Sequence, residues 1–437
     1  MLAESKVDVS VEQASGLERR LTIRVPSEEI EREVEARLQK VGRTARLKGF
    51  RPGKVPLKVV RKHYGAQVRQ EVLSDVIRVS YSRAVQQAQL NPAGGPQIEP
   101  LTGLTEGEDF SFRATFEVFP EIKLNDLEKL EIARPRVEIT EADVDAMLEK
   151  LREQRAEWRT VERPASKGDR VVVDFVGRID GEPFQGSESQ EVRIVVGAGQ
   201  VLEDFDRALE GLSAGETRTA KVQFPADYPR ENLRGKQADF EIKAHRVEEK
   251  VLPEVDAEFA KAFGVEEGGV EKLRVEVRAN MQRELDEKLR AETKTRTFDA
   301  LLAANEVTTP RALVSQEIRH LQADAMSRLG ITDPAKAPPA EHFEAAARRR
   351  VAVGLLVQEL IRAHGIELDR ARVQRRVDEL VAPFENPEEA ARLYRTSREL
   401  MSQVEASVLE DQVVETILER AKVTDEPRSF EEFMAAG

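Results

Sequence analysis

From Val270 to Ala304 apolar residues recur at helical spacing in one long pattern, through Leu273, Val277, Met281 and Leu285. That run is far longer than the ~11–12 residues of an ordinary globular helix. Charged residues make up 34% of the chain and aromatics only 5%, with a single tryptophan, Trp158. Such a balance favours long, solvated helices over one large compact core. At 437 residues the chain is also too long for one core, and two to four domains are expected. Cysteine is absent, which rules out a disulfide framework or a thiolate metal site and suits a reducing cytosol. No apolar run approaches the roughly 18–20 residues of a membrane span, and the N-terminus lacks the apolar region of a signal peptide. The expectation is a soluble, cytoplasmic protein with no membrane contact.

Upstream of that helix the hydrophobic period changes twice. "KVDVSVE" alternates, as do Leu21, Ile23 and Val25 against Arg20, Thr22 and Arg24, so residues 7–25 read as strands. Pro26 ends the strand, Ser27 reads as an N-cap, and Glu28 and Glu29 form an acidic first turn. Ile30, Val34, Leu38 and Val41 follow at helical spacing. A second helical region runs from about Leu57 to Leu90, relayed around Gly65, and Phe110, Phe112, Ala114, Phe116 and Val118 then alternate strictly. Residues 1–119 thus form an α+β domain and 120–160 a linker, with a helix expected to begin at Thr140. In 161–250, four short strands are predicted at Val171–Val173, Val192–Val196, Thr217–Phe224 and Phe240–Val247, with a short helix over Val201–Glu210. Beyond Pro253 almost everything is helical. Asp256 caps a short helix closed by Gly264, Pro310 opens another helix, and the Pro-rich break at 333–340 precedes the apolar segment Val351–Val357, after which two or three further helices run to about Val423.

The charge distribution is lopsided. Between Glu35 and Glu71 there is no acidic residue, while Arg37, Lys40, Arg43, Arg46, Lys48, Arg51, Lys54, Lys58, Arg61, Lys62 and Arg69 are positive. Taking these eleven charges out of a formal total of −13 leaves −24 on the remainder. A basic helix-turn is commonly just a solvated face. Three features argue otherwise: the length of the acid-free window, Phe50 at the loop tip between Gly49 and Arg51, and the stiffening of the loop by Gly49, Pro52, Gly53 and Pro56. A rigid loop with one aromatic anchor and flanking cations suits docking on a phosphate-rich surface. The acidic remainder repels nucleic acid, so any RNA contact must come from this window.

Gly49-Phe50-Arg51-x-Gly53-x-x-Pro56, following an amphipathic basic helix, resembles the ribosome-docking signature of the bacterial trigger factor family. The resemblance continues through "GLERRLTIRVP", "YGAQVRQEV", "GEDFSFRATFEVFPE", "FPADYPRENLRGK" and "LEDQVVETILERAKV", essentially the whole chain. It implies that Arg43, Arg46, Lys48, Gly49, Phe50, Arg51, Gly53, Lys54 and Pro56 bind the large ribosomal subunit, protein and RNA, beside the tunnel exit. Pro52 occupies a position that the family varies, which should stiffen the loop without abolishing docking.

Residues 161–250 look like an FK506-binding-protein-type (FKBP-type) isomerase domain. The match runs through Asp174-Phe175-x-Gly177, Asp180-Gly181-x-x-Phe184, Gly197-x-Gly199, Val201-Leu202-x-x-Phe205, Tyr228 and Phe240. Carried over, Phe175, Phe184, Val201, Leu202, Phe205, Tyr228 and Phe240 would line a proline pocket, with Tyr228 its hydrogen-bonding member. Prolyl isomerisation needs no nucleophile, metal or cofactor, and the scattered histidines with no H-E-x-x-H spacing are consistent with that. The sequence departs from the family at Gln185, Val192 and Glu203-Asp204, so an intact isomerase fold with weakened activity is expected.

The resulting fold class is a multidomain α+β protein: an N-terminal α+β ribosome-binding domain, an FKBP-like β-rich domain, and an elongated all-α chaperone domain at 251–437 with helical arms. The resemblance implies an ATP-independent chaperone that binds nascent and unfolded polypeptides, assists folding and export, isomerises X-Pro bonds and forms a homodimer off the ribosome. The absence of a G-x-x-x-x-G-K-[ST] loop agrees with ATP independence. A dedicated prolyl isomerase and a ribosome-assembly or RNA-binding factor are the rival readings.

Overall fold

The computed structural model describes residues 8–45, 47, 50, 55–102, 107–384 and 386–436. Two compact units account for it, one comprising 1–134 with 292–426 and the other 135–291 with 427–437.

In the first unit an antiparallel sheet is built from β1 (Asp8–Gln13), β2 (Glu18–Val25), β3 (Gln97–Thr102) and β4 (Phe110–Glu117), in the order β1-β2-β4-β3. The strict alternation along β4 buries Phe110, Phe112, Ala114 and Phe116 on one face. Ile30, Val34 and Leu38 of α1 (Ser27–Thr44) join that core. So do Val60, Val68, Val72 and Val76 of α2 (Leu57–Gln87), which runs straight through Gly65. Strand β3 carries no alternation and contains Pro100, which an edge strand tolerates. The cap of α1 differs from the expectation at Ser27. Pro26 holds the cap position, and the Ser27 N–H donates to the Asp109 carboxylate at 2.9 Å from 82 residues away. That N–H and Arg24 hold Asp109 below the usual carboxylate range.

The helical part of this unit contains α7 (Arg311–Arg328), α8 (Glu344–His364), α9 (Arg370–Val381), α10 (Pro387–Thr396) and α11 (Arg398–Arg420). Leu356, Leu360, Val413 and Ile417 form one buried cluster with Leu127, Leu130 and Ile132. Val373, Val377, Val404 and Val408 form another. Like β3, the strands β5 (Glu131–Val137) and β11 (Lys422–Arg428) lie outside the predicted set; they pair with each other beyond the last long helix.

The second unit holds α3 (Glu141–Gln154), which starts at the expected Thr140; Thr140 is its N-cap and forms a reciprocal capping box with Asp143. It also holds α5 (Ala257–Ala262), capped by Asp256, and α12 (Phe430–Ala435). The long helix α6 spans Gly269–Ala304, 36 residues, of which 269–291 belong to this unit. Its Leu273, Val277, Met281 and Leu285 pack with Val144, Leu148, Phe259 and Phe430. The β-rich part has five strands: β6 (Glu157–Val161), β7 (Arg170–Ile179), β8 (Glu182–Val195), β9 (Thr217–Gln223) and β10 (Gln237–Val251). β10 pairs with β7 along one edge; along the other it pairs with β9 over its first half and β6 over its second. α4 (Glu203–Leu209) places Phe205 and Leu209, four residues apart on one helix face, into the same core as Val171, Val173, Val222 and Ile242. Among the described residues no helix is long and apolar enough to cross a membrane.

Candidate active site

Where α4 lies over the sheet, six aromatic rings meet edge to face. Phe205 stands 5.4 Å from both Phe175 of β7 and Phe240 of β10, and Phe175 lies 5.9 Å from Phe240. Phe184 of β8 reaches Phe240 at 6.2 Å and Phe224 at 6.0 Å, and Phe224 meets Tyr228 at 4.9 Å. Each such pair adds roughly 0.5–1.5 kcal/mol beyond area burial, so the web resists rearrangement. It depends on one glycine: Gly177 sits directly across the ladder from Phe240, and a Cβ there would lie 2.6 Å from the Phe240 ring.

These rings border a cavity of about 230 Å³. Its buried base comes from Val222, Phe224, Leu233, Phe205 and Phe240, and its half-buried walls from Phe175, Phe184, Val201, Leu202 and Tyr228. Polar anchors fix the walls. Asp206 of α4 accepts the Gly197 N–H at 3.0 Å, which holds the turn leading to Val201 and Leu202. Asp204 accepts the Gln223 N–H at 3.1 Å and so fastens α4 to the end of β9. Arg234 donates to the Tyr228 carbonyl at 2.8 Å, and Arg230 donates to the Gln185 carbonyl at 3.0 Å. Beside Phe175, Asp174 accepts the Glu191 N–H at 2.8 Å and pairs with His245 at 2.7 Å; those two contacts hold its carboxyl below the usual range.

The structure brings all seven sequence-proposed residues, Phe175, Phe184, Val201, Leu202, Phe205, Tyr228 and Phe240, onto one cavity. Of the departures from the family pattern, Asp204 is engaged with β9, Glu203 pairs with Arg207, and neither lines the cavity. Val192 packs half-buried against the core, and Gln185 contributes its backbone carbonyl. Sequence reasoning missed Val222, Phe224, Leu233, Gly186, Gln200 and Arg230. Phe224 carried a readable signal, closing the predicted strand four residues before Tyr228; Arg230 carried none, being one exposed arginine among many.

The basic window is described only in part. Arg46, Lys48, Gly49, Arg51, Pro52, Gly53 and Lys54 lie outside the described residues. Phe50 is 40% exposed and its N–H donates to the Leu47 carbonyl at 3.1 Å. Arg43 is exposed in the last turn of α1, and exposed Pro56 opens α2. Part of the positive charge is matched internally: Arg37 pairs with Asp75 at 2.9 Å and Arg69 with Glu31, across the α1–α2 contact.

Comparison with known proteins covers the chain almost end to end. Residues 7–151 match the model for bacterial trigger factor protein, residues 161–245 that for FKBP-type peptidyl-prolyl cis-trans isomerase, and residues 269–419 that for the trigger factor C-terminus. A trigger factor of Thioalkalivibrio sulfidiphilus is 47% identical over 428 residues, 98% of each chain. One from Alkalilimnicola ehrlichii is 45% identical over 432 residues, 98% of this chain and 96% of its own. A solved structure of a trigger factor chaperone covers 94% of this chain and 99% of its own at 18% identity, with a TM-score of 0.48.

Proposed function

The chain belongs to the bacterial trigger factor family, ribosome-associated chaperones that carry a peptidyl-prolyl isomerase domain, and from that membership we propose how its parts divide the work. The aromatic cavity is the isomerase site. The barrier to X-Pro rotation is amide resonance, ~18–20 kcal/mol. An apolar, pre-shaped cage favours the twisted, less polar amide over the hydrated planar one without any nucleophile or metal. Phe205 and Phe240 form the floor on which the proline ring rests; Phe175, Phe184, Val201 and Leu202 form the walls, and Tyr228 stands at the hydrogen-bonding position. The single observation that carries this reading is the convergence of those seven residues, from three strands, two loops and one helix, on one cavity of about 230 Å³. The acid pair Glu203-Asp204 faces other partners, which supports an unobstructed site.

The loop carrying Phe50, with Arg43, Arg46, Lys48, Gly49, Arg51, Gly53, Lys54 and Pro56, docks the protein on the large ribosomal subunit at the tunnel exit, on protein and RNA. An exposed aromatic flanked by cations supports this role. The work divides along 1–119 for docking, 161–250 for isomerisation and 251–437 for shielding nascent chains, with 120–160 as linker. It takes place in the cytoplasm, and the protein self-associates as a homodimer when off the ribosome.

Two assays test the reading in parallel. Phe205→Ala and Tyr228→Phe should slow proline-limited refolding while aggregation suppression persists. Loss of both activities together would overturn the separation of isomerase from chaperone. Phe50→Ala/Arg51→Ala/Lys54→Ala should abolish salt-sensitive co-sedimentation with ribosomes, and equal pelleting of variant and wild type would remove the docking role.

A further inference from the structure

Nearly everything that borders the cavity is apolar or uncharged, and among the described lining residues Arg230 carries the one formal charge. Its head group is held in place. Nη1 donates to the Gln185 carbonyl at 3.0 Å, and the guanidinium lies against the backbone of Gly186, where a Cβ would come within 2.9 Å of Nη1 and 3.6 Å of Nη2. Gly186 has a φ of +80, a second reason for glycine at that position. A fixed planar guanidinium loses little side-chain entropy when it forms a new bond. Of its five N–H donors, one is engaged by Gln185, and no ion pair of Arg230 occurs among the described residues. The carboxylates nearby in the chain are placed differently: Glu231 pairs with Arg234, and Asp227 does not line the cavity.

We propose that Arg230 is a specificity-determining residue that makes this isomerase favour X-Pro segments with an acidic side chain next to the proline. A proline seated on Phe205 and Phe240 carries its flanking residues past the rim. A glutamate or aspartate there would meet the free edge of a fixed guanidinium, a bidentate match of fork and carboxylate. Because Arg230 is exposed, the gain is that of a surface ion pair, about two- to fivefold in kcat/KM over the isosteric glutamine peptide. Lysine in the same place should be disfavoured.

This inference rests on the cavity being the isomerase site, and the experiment separates the two. Full-length protein is assayed at low and moderate salt on short peptides that differ only in the residue before or after the proline: Glu, Gln or Lys. In the wild type the Glu/Gln ratio should be about two- to fivefold at one of the two positions and fall toward one as salt rises. Arg230→Gln should bring the ratio to about one, Arg230→Lys should retain part of it, and Arg230→Glu should turn the preference toward Lys. The ratio is taken within each variant, so a general loss of activity from the missing Gln185 contact cancels. A wild-type ratio of one at both positions, or a ratio unchanged in Arg230→Gln, overturns the proposal. Undiminished turnover in Phe205→Ala instead overturns the placement of the site.

Discussion

Replacing Gly177 by alanine pits local propensity against the aromatic web. Glycine inside a strand costs roughly 0.5–1 kcal/mol relative to alanine, so propensity alone predicts that Gly177→Ala stabilises the protein. The structure reverses the sign. An added Cβ would stand 2.6, 2.8 and 3.1 Å from three atoms of the Phe240 ring, where ordinary contact begins near 3.4 Å, so the ring edge must retreat by about 0.8 Å. It has little room, because Phe175, Phe184 and Phe205 close on it at 5.9, 6.2 and 5.4 Å. Overpacking of this kind costs ~1–3 kcal/mol, leaving a net destabilisation on the order of 1 kcal/mol. The melting transition of the β-rich part should fall by about 4–8 °C. It can be followed through Trp158, which lies on β6 of the same sheet beneath the Arg170 guanidinium at 4.4 Å. Turnover of an X-Pro peptide should fall about tenfold, since displacing a binding surface by near 1 Å can cost up to ~10²-fold. Phe240→Leu on the Gly177→Ala background should recover part of the stability, and that coupling marks steric conflict as the cause. An unchanged or raised melting transition with full turnover would refute the reasoning.

Three further outcomes follow from particular contacts. Asp206→Ala removes the acceptor of the Gly197 N–H and should cost about 1 kcal/mol, with faster hydrogen exchange at Gly197 and slower turnover; unchanged protection there would dissociate Asp206 from the loop. Asp169 and Glu248 respond to acid in a defined direction. Burial, the largest influence on each, pushes the carboxyl up, but Arg163 with the Ser166 N–H, and Arg246 with Arg170, outweigh it and hold both below their ordinary values of 3.8 and 4.5. Their stabilisation is therefore present above those values and lost as pH falls through the lower folded-state ones, so Trp158 fluorescence should stay level from neutrality into the mildly acidic range and change only in stronger acid; Arg163→Ala should move that change to higher pH. Gly94→Ala would place a Cβ 2.6 Å from that of Ala312, whose N–H donates to Glu117 at 3.0 Å, so it should loosen the start of α7 and raise protease cleavage there; an unaltered cleavage pattern would count against the contact.

Local periodicity made most elements readable because a pattern that repeats every 2 or 3.6 residues is written in consecutive residues. β4, α6, the start of α3 at Thr140 and the Asp256 cap all depend on neighbours a few positions away, and all stand where the residues indicate. The pocket-lining set came by resemblance to a family; spacing alone could not have joined Phe175 to Phe240.

Elements defined by distant partners stayed hidden. β3, β6 and β11 are short and polar, and each exists because another strand satisfies its backbone: β4, β10 and β5 respectively. Asp109 serves α1 from 82 residues away, and Arg230 reaches a carbonyl 45 residues off. A carboxylate or a guanidinium has no periodicity that names its acceptor, so only the closed fold turns such residues into a cap or a pocket rim. The sequence by itself thus determined the helices, the buried faces and the isolation of one basic window in an acidic chain. The tertiary structure alone decided which polar groups fasten the aromatic cavity and that Arg230 stands at its edge.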